Sequence, residues 1–176
     1  YKFKSREVEG AKARVQLFGS GAIMNCALAA QDLLAEKYNI ASDVWSVTSY
    51  TQLRREAADC QRWNMLHPTD KPRESYLEKT LAGLEGPFIA ASDYVRALAE
   101  QLTPWIPGDY HVLGTDGMGR SETREVLRRH FEVDAESITI AALSRLSKTG
   151  LFTPNEVEDA IKDLGFDAEK PNPYFA

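Results

Sequence analysis

The sequence holds only 2 cysteines, Cys26 and Cys60, and no Cys-x-x-Cys pair. That excludes a zinc ribbon and a dithiol redox centre. Two buried free thiols are expected, as is usual for cysteine in a reducing compartment. The 3 histidines, His67, His111 and His130, share no metal-ligand spacing with one another, a cysteine or an acid. No stretch reaches the ~20 apolar residues needed to cross a bilayer. The start, Tyr1-Lys2-Phe3-Lys4-Ser5-Arg6, is basic, but no apolar run follows it as in a signal peptide. Basic residues form no run and the net charge is −5, so the electrostatic footprint of a nucleic-acid binder is missing. Gly-x-Ser-x-Gly is absent, and no serine or cysteine has an evident base. Nor is there an initiator methionine at position 1, which points to an internal start in a longer protein.

What is present is ordinary for a folded domain: 43% hydrophobic and 27% charged residues in a chain of 176. A chain of that size buries about two thirds of its unfolded surface and needs no staple. Residues 1–12 are polar and read as a linker or edge segment, leaving one domain over 13–176. Val15-Gln16-Leu17-Phe18 reads as a strand ending in the turn Gly19-Ser20-Gly21. Ile23, Cys26, Ala27, Ala30, Leu33, Leu34 and Tyr38 then fall on one helical face, with Asn39 as a stop. Val44–Val47 is a second strand, with Asp43 just before it, and a helix over about 51–64 follows. A weaker helix near 74–84 ends at Gly86-Pro87. Phe88-Ile89-Ala90-Ala91 is a strand with no polar residue, which suggests burial on both faces. Ser92 or Asp93 can cap the next helix, through Leu102. Tyr110–Leu113 is a fourth strand. A helix through Val126, Leu127 and Phe131 follows, then one over about 136–148. The last starts at a capping box, Thr153-Pro154-Asn155-Glu156. Strands alternating with helices predict an α/β three-layer sandwich: a mostly parallel sheet of four to five strands flanked by helices.

Candidate sites are few. Gly19-Ser20-Gly21 joins strand to helix and can present backbone N–H groups to an anion, but it is too short for a dinucleotide fingerprint or a Walker loop. A plain tight turn explains it as well. Gly114-Thr115-Asp116-Gly117-Met118-Gly119-Arg120-Ser121 is more unusual. Arg120 can hold an anion and Ser121 can cap the next helix. The structural alternative is an Asp116–Arg120 pair that pins a loop shaped by Gly114 and Gly119. His67, beside Trp63, reads as a hydrogen-bonded residue of a buried or interface loop rather than as a proton carrier.

Longer blocks carry a resemblance. Residues 114–124 with Arg129–Ala135, Asp43–Tyr50, Cys60–Pro68 and the ending Asn172-Pro173-Tyr174-Phe175-Ala176 resemble the last domain of the homodimeric pyruvate dehydrogenase first component. The likeness runs in order from Val15 to the end, with Met118 where that family often has Phe. It implies a transketolase-like C-terminal domain with a roughly five-stranded sheet, one strand antiparallel. The fifth strand is a short edge strand or lies in Ile138-Thr139-Ile140. The resemblance also implies the parent activity: decarboxylation of pyruvate on thiamine diphosphate and transfer of the acetyl unit to a lipoyl group. In that family the diphosphate and Mg2+ are held by the N-terminal domain and the activating glutamate by the middle one. This chain has no Gly-Asp-Gly followed by an Asn some thirty residues on. No catalytic residue is therefore carried over, and no cofactor is expected on these residues. The implied partners are the rest of the parent chain, the second subunit of a homodimer and the dihydrolipoyl acyltransferase component, in a bacterial cytoplasm. Trp45, Trp63 and Trp105 are candidates for an apolar contact surface. The competing class is a free-standing α/β module that binds an anion or regulates through its two glycine turns.

Overall fold

The computed structural model describes residues 1–176. Five strands, β1 (Lys2–Arg6), β2 (Ala13–Gly19), β3 (Ile40–Ser46), β4 (Phe88–Ala91) and β5 (Tyr110–Leu113), form one sheet in the order β1-β3-β2-β4-β5. All neighbours are parallel except β1, which pairs antiparallel with β3. The fifth strand is thus the polar start of the chain. Ile138-Thr139-Ile140 lies instead inside a helix, α6 (Ala135–Lys148), whose N-cap Asp134 accepts a hydrogen bond from the Ser137 N–H. Capping and burial there override the β-branched composition.

Six more helices complete the chain: α1 (Met24–Tyr38), α2 (Tyr50–Leu66), α3 (Tyr76–Leu81), α4 (Arg96–Glu100), α5 (Arg124–His130) and α7 (Pro154–Asp163). Single 3-10 turns precede α1 and follow α4. Asn39 closes α1 in the left-handed region, φ 57°, and its side chain donates to the Gly10 carbonyl. Capping boxes open α3 at Ser75 and α7 at Thr153.

Strand alternation sorts the side chains into two cores. On one face Val15, Leu17, Val44, Ile89 and Leu113 pack under α1 and α6 with Ala30, Leu34, Ala142 and Leu143. On the other, Phe18, Trp45, Phe88 and Val112 pack under α2, α3 and α4 with Tyr50, Leu77, Leu81 and Leu102. Each fully buried Leu or Phe contributes roughly 1.5–3 kcal/mol. All of β4 is buried, as a strand covered on both faces must be.

Polar groups inside are mostly matched. Gln16 is fully buried; it accepts from Trp45 Nε1 at 2.8 Å and donates to the Glu85 carbonyl at 3.1 Å. Asp43 does not precede its strand but stands in the middle of β3. It is buried, with Lys2 Nζ at 3.3 Å and an Arg14 guanidinium nitrogen at 3.2 Å. Burial pushes its carboxyl up. Hydrogen bonds from Ser5 and Lys2 and the charges of Lys2 and Arg14 outweigh that and hold it below the usual carboxylate range. Cys26 is buried, but Cys60 is only half-buried on α2, where its thiol donates to Glu56 at 3.6 Å. The weaker helix expected near 74–84 shrinks to α3, and the helix after β4 shrinks to α4 because Tyr94 and Val95 remain outside it.

Candidate functional site

In an open parallel sheet, ligands bind outside the carboxyl ends of the strands, where successive connections leave on opposite faces. Here that point lies between β2, followed by α1 on one face, and β4, followed by α4 on the other. The turn Gly19-Ser20-Gly21 leaves β2, and Ser92-Asp93 leaves β4. The Ser20 and Ser92 hydroxyls face each other at 3.4 Å in a buried position. Gly21 has φ 53°, and a Cβ on it would still be 3.7 Å from Asp93 Oδ1. Neither Ser92 nor Asp93 caps α4; the Ser92 hydroxyl accepts from the Tyr94 N–H at 3.1 Å, and Val95 holds the N-cap position.

The second glycine-rich stretch leaves β5 beside them. Gly114 is required by packing: a Cβ would come within 2.7 Å of the Tyr94 carbonyl and 2.8 Å of the Arg96 nitrogen. Gly117 has φ 105°, and a Cβ there would lie 2.0 Å from the Pro173 carbonyl. The loop is therefore wedged between the start of α4 and the C-terminal tail. Gly119 meets nothing within 4 Å.

The expected Asp116–Arg120 pair does not form. Asp116 faces Arg96 instead, accepting from its backbone N–H at 3.3 Å with a carboxylate oxygen 3.2 Å from Arg96 Nε. That Nε–H lacks an aligned acceptor, so the side-chain contact is an ion pair rather than a directed hydrogen bond. Ser121 does not cap α5 either. Thr123 does, accepting from the Val126 N–H, because α5 begins three residues later than Ser121.

Arg120 is left exposed on the wall of a cavity of about 420 Å3. Sequence reasoning missed the rest of that wall: Asp93, Arg124, Arg128 and an apolar base of Ile23, Leu127 and Phe131. The spacing of Arg124 and Arg128 within α5 was the available signal, since residues four apart share a helical face; Arg120 joins them from the loop before the helix. None of the three arginines has a carboxylate within 4.0 Å, whereas Arg6, Arg14, Arg96, Arg129 and Arg145 all do.

His67 is exposed rather than buried. It follows α2, stacks on Trp63 with ring centroids 4.3 Å apart, and shares a 2.9 Å hydrogen bond between Nδ1 and the Trp63 carbonyl. The Arg73 guanidinium lies 4.0 Å from the same indole, and Asn64 brackets the Arg73 backbone at 2.7 and 2.9 Å. Of the other histidines, His111 sits in β5, where burial and then the charges of Arg145 and Arg96 push its imidazole below the ordinary value. No group of three or more His, Cys, Asp or Glu side chains could hold a metal ion.

Five exposed apolar residues gather at the same end, while others, Met65, Leu66 and Leu151 among them, lie elsewhere. Tyr94 and Val95 precede α4, Met118 sits in the glycine loop, and Tyr174 and Phe175 end the tail that Gly117 touches. Of the tryptophans, Trp45 is buried, and Trp63 and Trp105 are half-buried.

Sheet order, edge strand and helical layers fit one class, the C-terminal domain of transketolase-like enzymes. The family model for the transketolase-like TK C-terminal domain matches residues 1–134, and the chain belongs to that family. Among curated relatives, the pyruvate dehydrogenase E1 component of Escherichia coli (strain K12) is 47% identical over 175 residues, 99% of this chain and 20% of that protein. The same component of Cupriavidus necator is 50% identical over 174 residues, 98% of this chain and 19% of its own. That of Pseudomonas aeruginosa is 48% identical over 160 residues, 90% of this chain and 18% of its own. The chain thus spans about a fifth of the length of these relatives. A solved structure described as a split gene transketolase, inactive beta4 tetramer, superposes with a TM-score of 0.52. It is 17% identical and covers 76% of this chain and 39% of its own, and so supports the fold alone.

Proposed function

We propose that these residues are the assembly domain of a pyruvate dehydrogenase E1 chain. The parent enzyme decarboxylates pyruvate on thiamine diphosphate with Mg2+ and passes the acetyl unit to a lipoyl group of the dihydrolipoyl acyltransferase component. The observation that carries this reading is the 47–50% identity to E1 components along almost the whole chain. The fold adds a physical reason for an assembly role. Tyr94, Val95, Met118, Tyr174 and Phe175 are all more than half exposed, and apolar side chains gathered at one end of a domain favour burial against another surface. The rest of the parent chain and the second subunit of a homodimer are the surfaces this reading supplies. A bacterial cytoplasm is its setting, consistent with two free cysteines and with no helix long and apolar enough to cross a membrane.

The test uses the full-length protein carrying Met118→Asp and Phe175→Asp, two exposed positions whose change leaves both cores intact. Sedimentation velocity across a concentration series should show the dimer weakened at least tenfold, with loss of pyruvate-dependent acetyl transfer to a lipoyl acceptor. An unchanged dimer with full transfer activity contradicts the assembly role.

A further inference from the structure

We infer that the cavity between Asp93 and the Arg120–Arg128 wall is a binding site for a small phosphomonoester, adjoining the proposed assembly surface. The charge pattern comes first. Arg120, Arg124 and Arg128 all line one cavity, and none is neutralised by a carboxylate within 4.0 Å. Asp116, the acid nearest to Arg120 in sequence, is taken by Arg96, so the fold leaves the arginine wall uncompensated. Guanidinium groups present planar forks that match phosphate oxygens, and three of them around one space match a dianion.

The remaining lining narrows the class. Asp93 faces the wall from the end of β4, where it can accept hydrogen bonds from hydroxyl groups but would repel a second phosphate. Ile23 and Phe131 give an apolar base on which a carbon skeleton can rest. Arg128 is already oriented, donating to the Ala22 carbonyl at 3.4 Å. A volume of about 420 Å3 is in the usual range for a small-molecule pocket. The position, outside the carboxyl ends of β2, β4 and β5 at the reversal of strand order, is where α/β sheets gather ligands. A phosphorylated polyol satisfies all three surfaces: phosphate to the arginines, hydroxyls to Asp93, carbon skeleton to the base. A sugar phosphate and a nucleoside monophosphate share that chemistry.

The 176-residue chain, with its two closed cores, is titrated by calorimetry at low ionic strength with ribose 5-phosphate, adenosine 5′-monophosphate and inorganic phosphate. Both esters should bind saturably, one per chain, with dissociation constants below about 1 mM and more tightly than inorganic phosphate. The tighter ester identifies the source of the ligand. Arg124→Gln and Arg128→Gln should each weaken ester binding at least about tenfold, and Arg124→Lys should recover part of the loss. Asp93→Asn should weaken the esters but not inorganic phosphate, and Arg62→Gln, on α2, should change nothing. Circular dichroism melting confirms that each variant folds, and Arg124 is exposed enough to be replaced without cost to the core. No saturable ester binding up to roughly 10 mM overturns the inference. So does equal affinity for inorganic phosphate, or an Arg124→Gln variant that binds like the parent.

Discussion

Replacing Asp116 by Ala separates the structure's account of the glycine loop from the one its sequence suggests. The carboxylate holds Arg96 in two ways, through the backbone N–H at 3.3 Å and through the ion pair at 3.2 Å. Removing it leaves a part-buried N–H without its acceptor, at about 1 kcal/mol. It also removes an ion pair between side chains that are 16% and 30% exposed, worth about 1 kcal/mol because solvent and poor alignment weaken it. The sum is about 2 kcal/mol, or a fall of roughly 4–8 °C in the midpoint for a domain of this size. Thermal and urea unfolding followed by circular dichroism measure it. A double-mutant cycle with Arg96→Met should give a coupling of about 1 kcal/mol, since the substitution spares the backbone bond. The matching cycle with Arg120→Met should give coupling near zero. Coupling to Arg120 instead of Arg96 refutes the reasoning, as does an Asp116→Ala variant as stable as the parent.

Gly117→Ala should release the tail, because its Cβ would sit 2.0 Å from the Pro173 carbonyl at φ 105°. Faster hydrogen exchange in residues 172–176, with both cores still protected, is the expected result, and an unchanged tail argues against the wedge. Acidification should destabilise the fold partly through Asp43. Its folded carboxyl lies below the unfolded value, so its contribution is full above the unfolded pKa and is lost as pH falls through the folded one. Asp43→Asn should cost about 2 kcal/mol at pH 7 and flatten the stability profile below about pH 4 in urea titrations. A variant whose acid profile matches the parent's contradicts this placement of Lys2 and Arg14.

The layered fold was legible because its signals are local. Val15–Phe18 and Phe88–Ala91 read as strands, the face through Cys26, Ala30 and Leu34 as a helix, and Thr153–Glu156 as a cap. The edge strand β1 was harder to read. Its residues are mostly exposed, as an edge strand's can be, so no buried alternation marks it as more than a polar lead. Ile138–Ile140 shows the opposite failure, where β-branched residues serve a buried helix. The candidate site was half legible. Glycines and Arg120 announce an unusual loop, but the partner of Asp116 lies 20 residues upstream, and pairing across that distance leaves no periodicity to read. The same holds for Asp93, which meets Arg120–Arg128 only because β4 and β5 lie side by side.

Hydrogen exchange compared between the 176-residue chain and the full-length protein bears most directly on the assembly role. Peptides covering residues 92–98, 115–121 and 172–176, which carry the exposed Tyr94, Val95, Met118, Tyr174 and Phe175, should exchange more slowly in the full-length dimer than in the isolated chain. Equal exchange in both, with β4 and β5 protected in each, would contradict the claim that this end of the domain is buried by assembly.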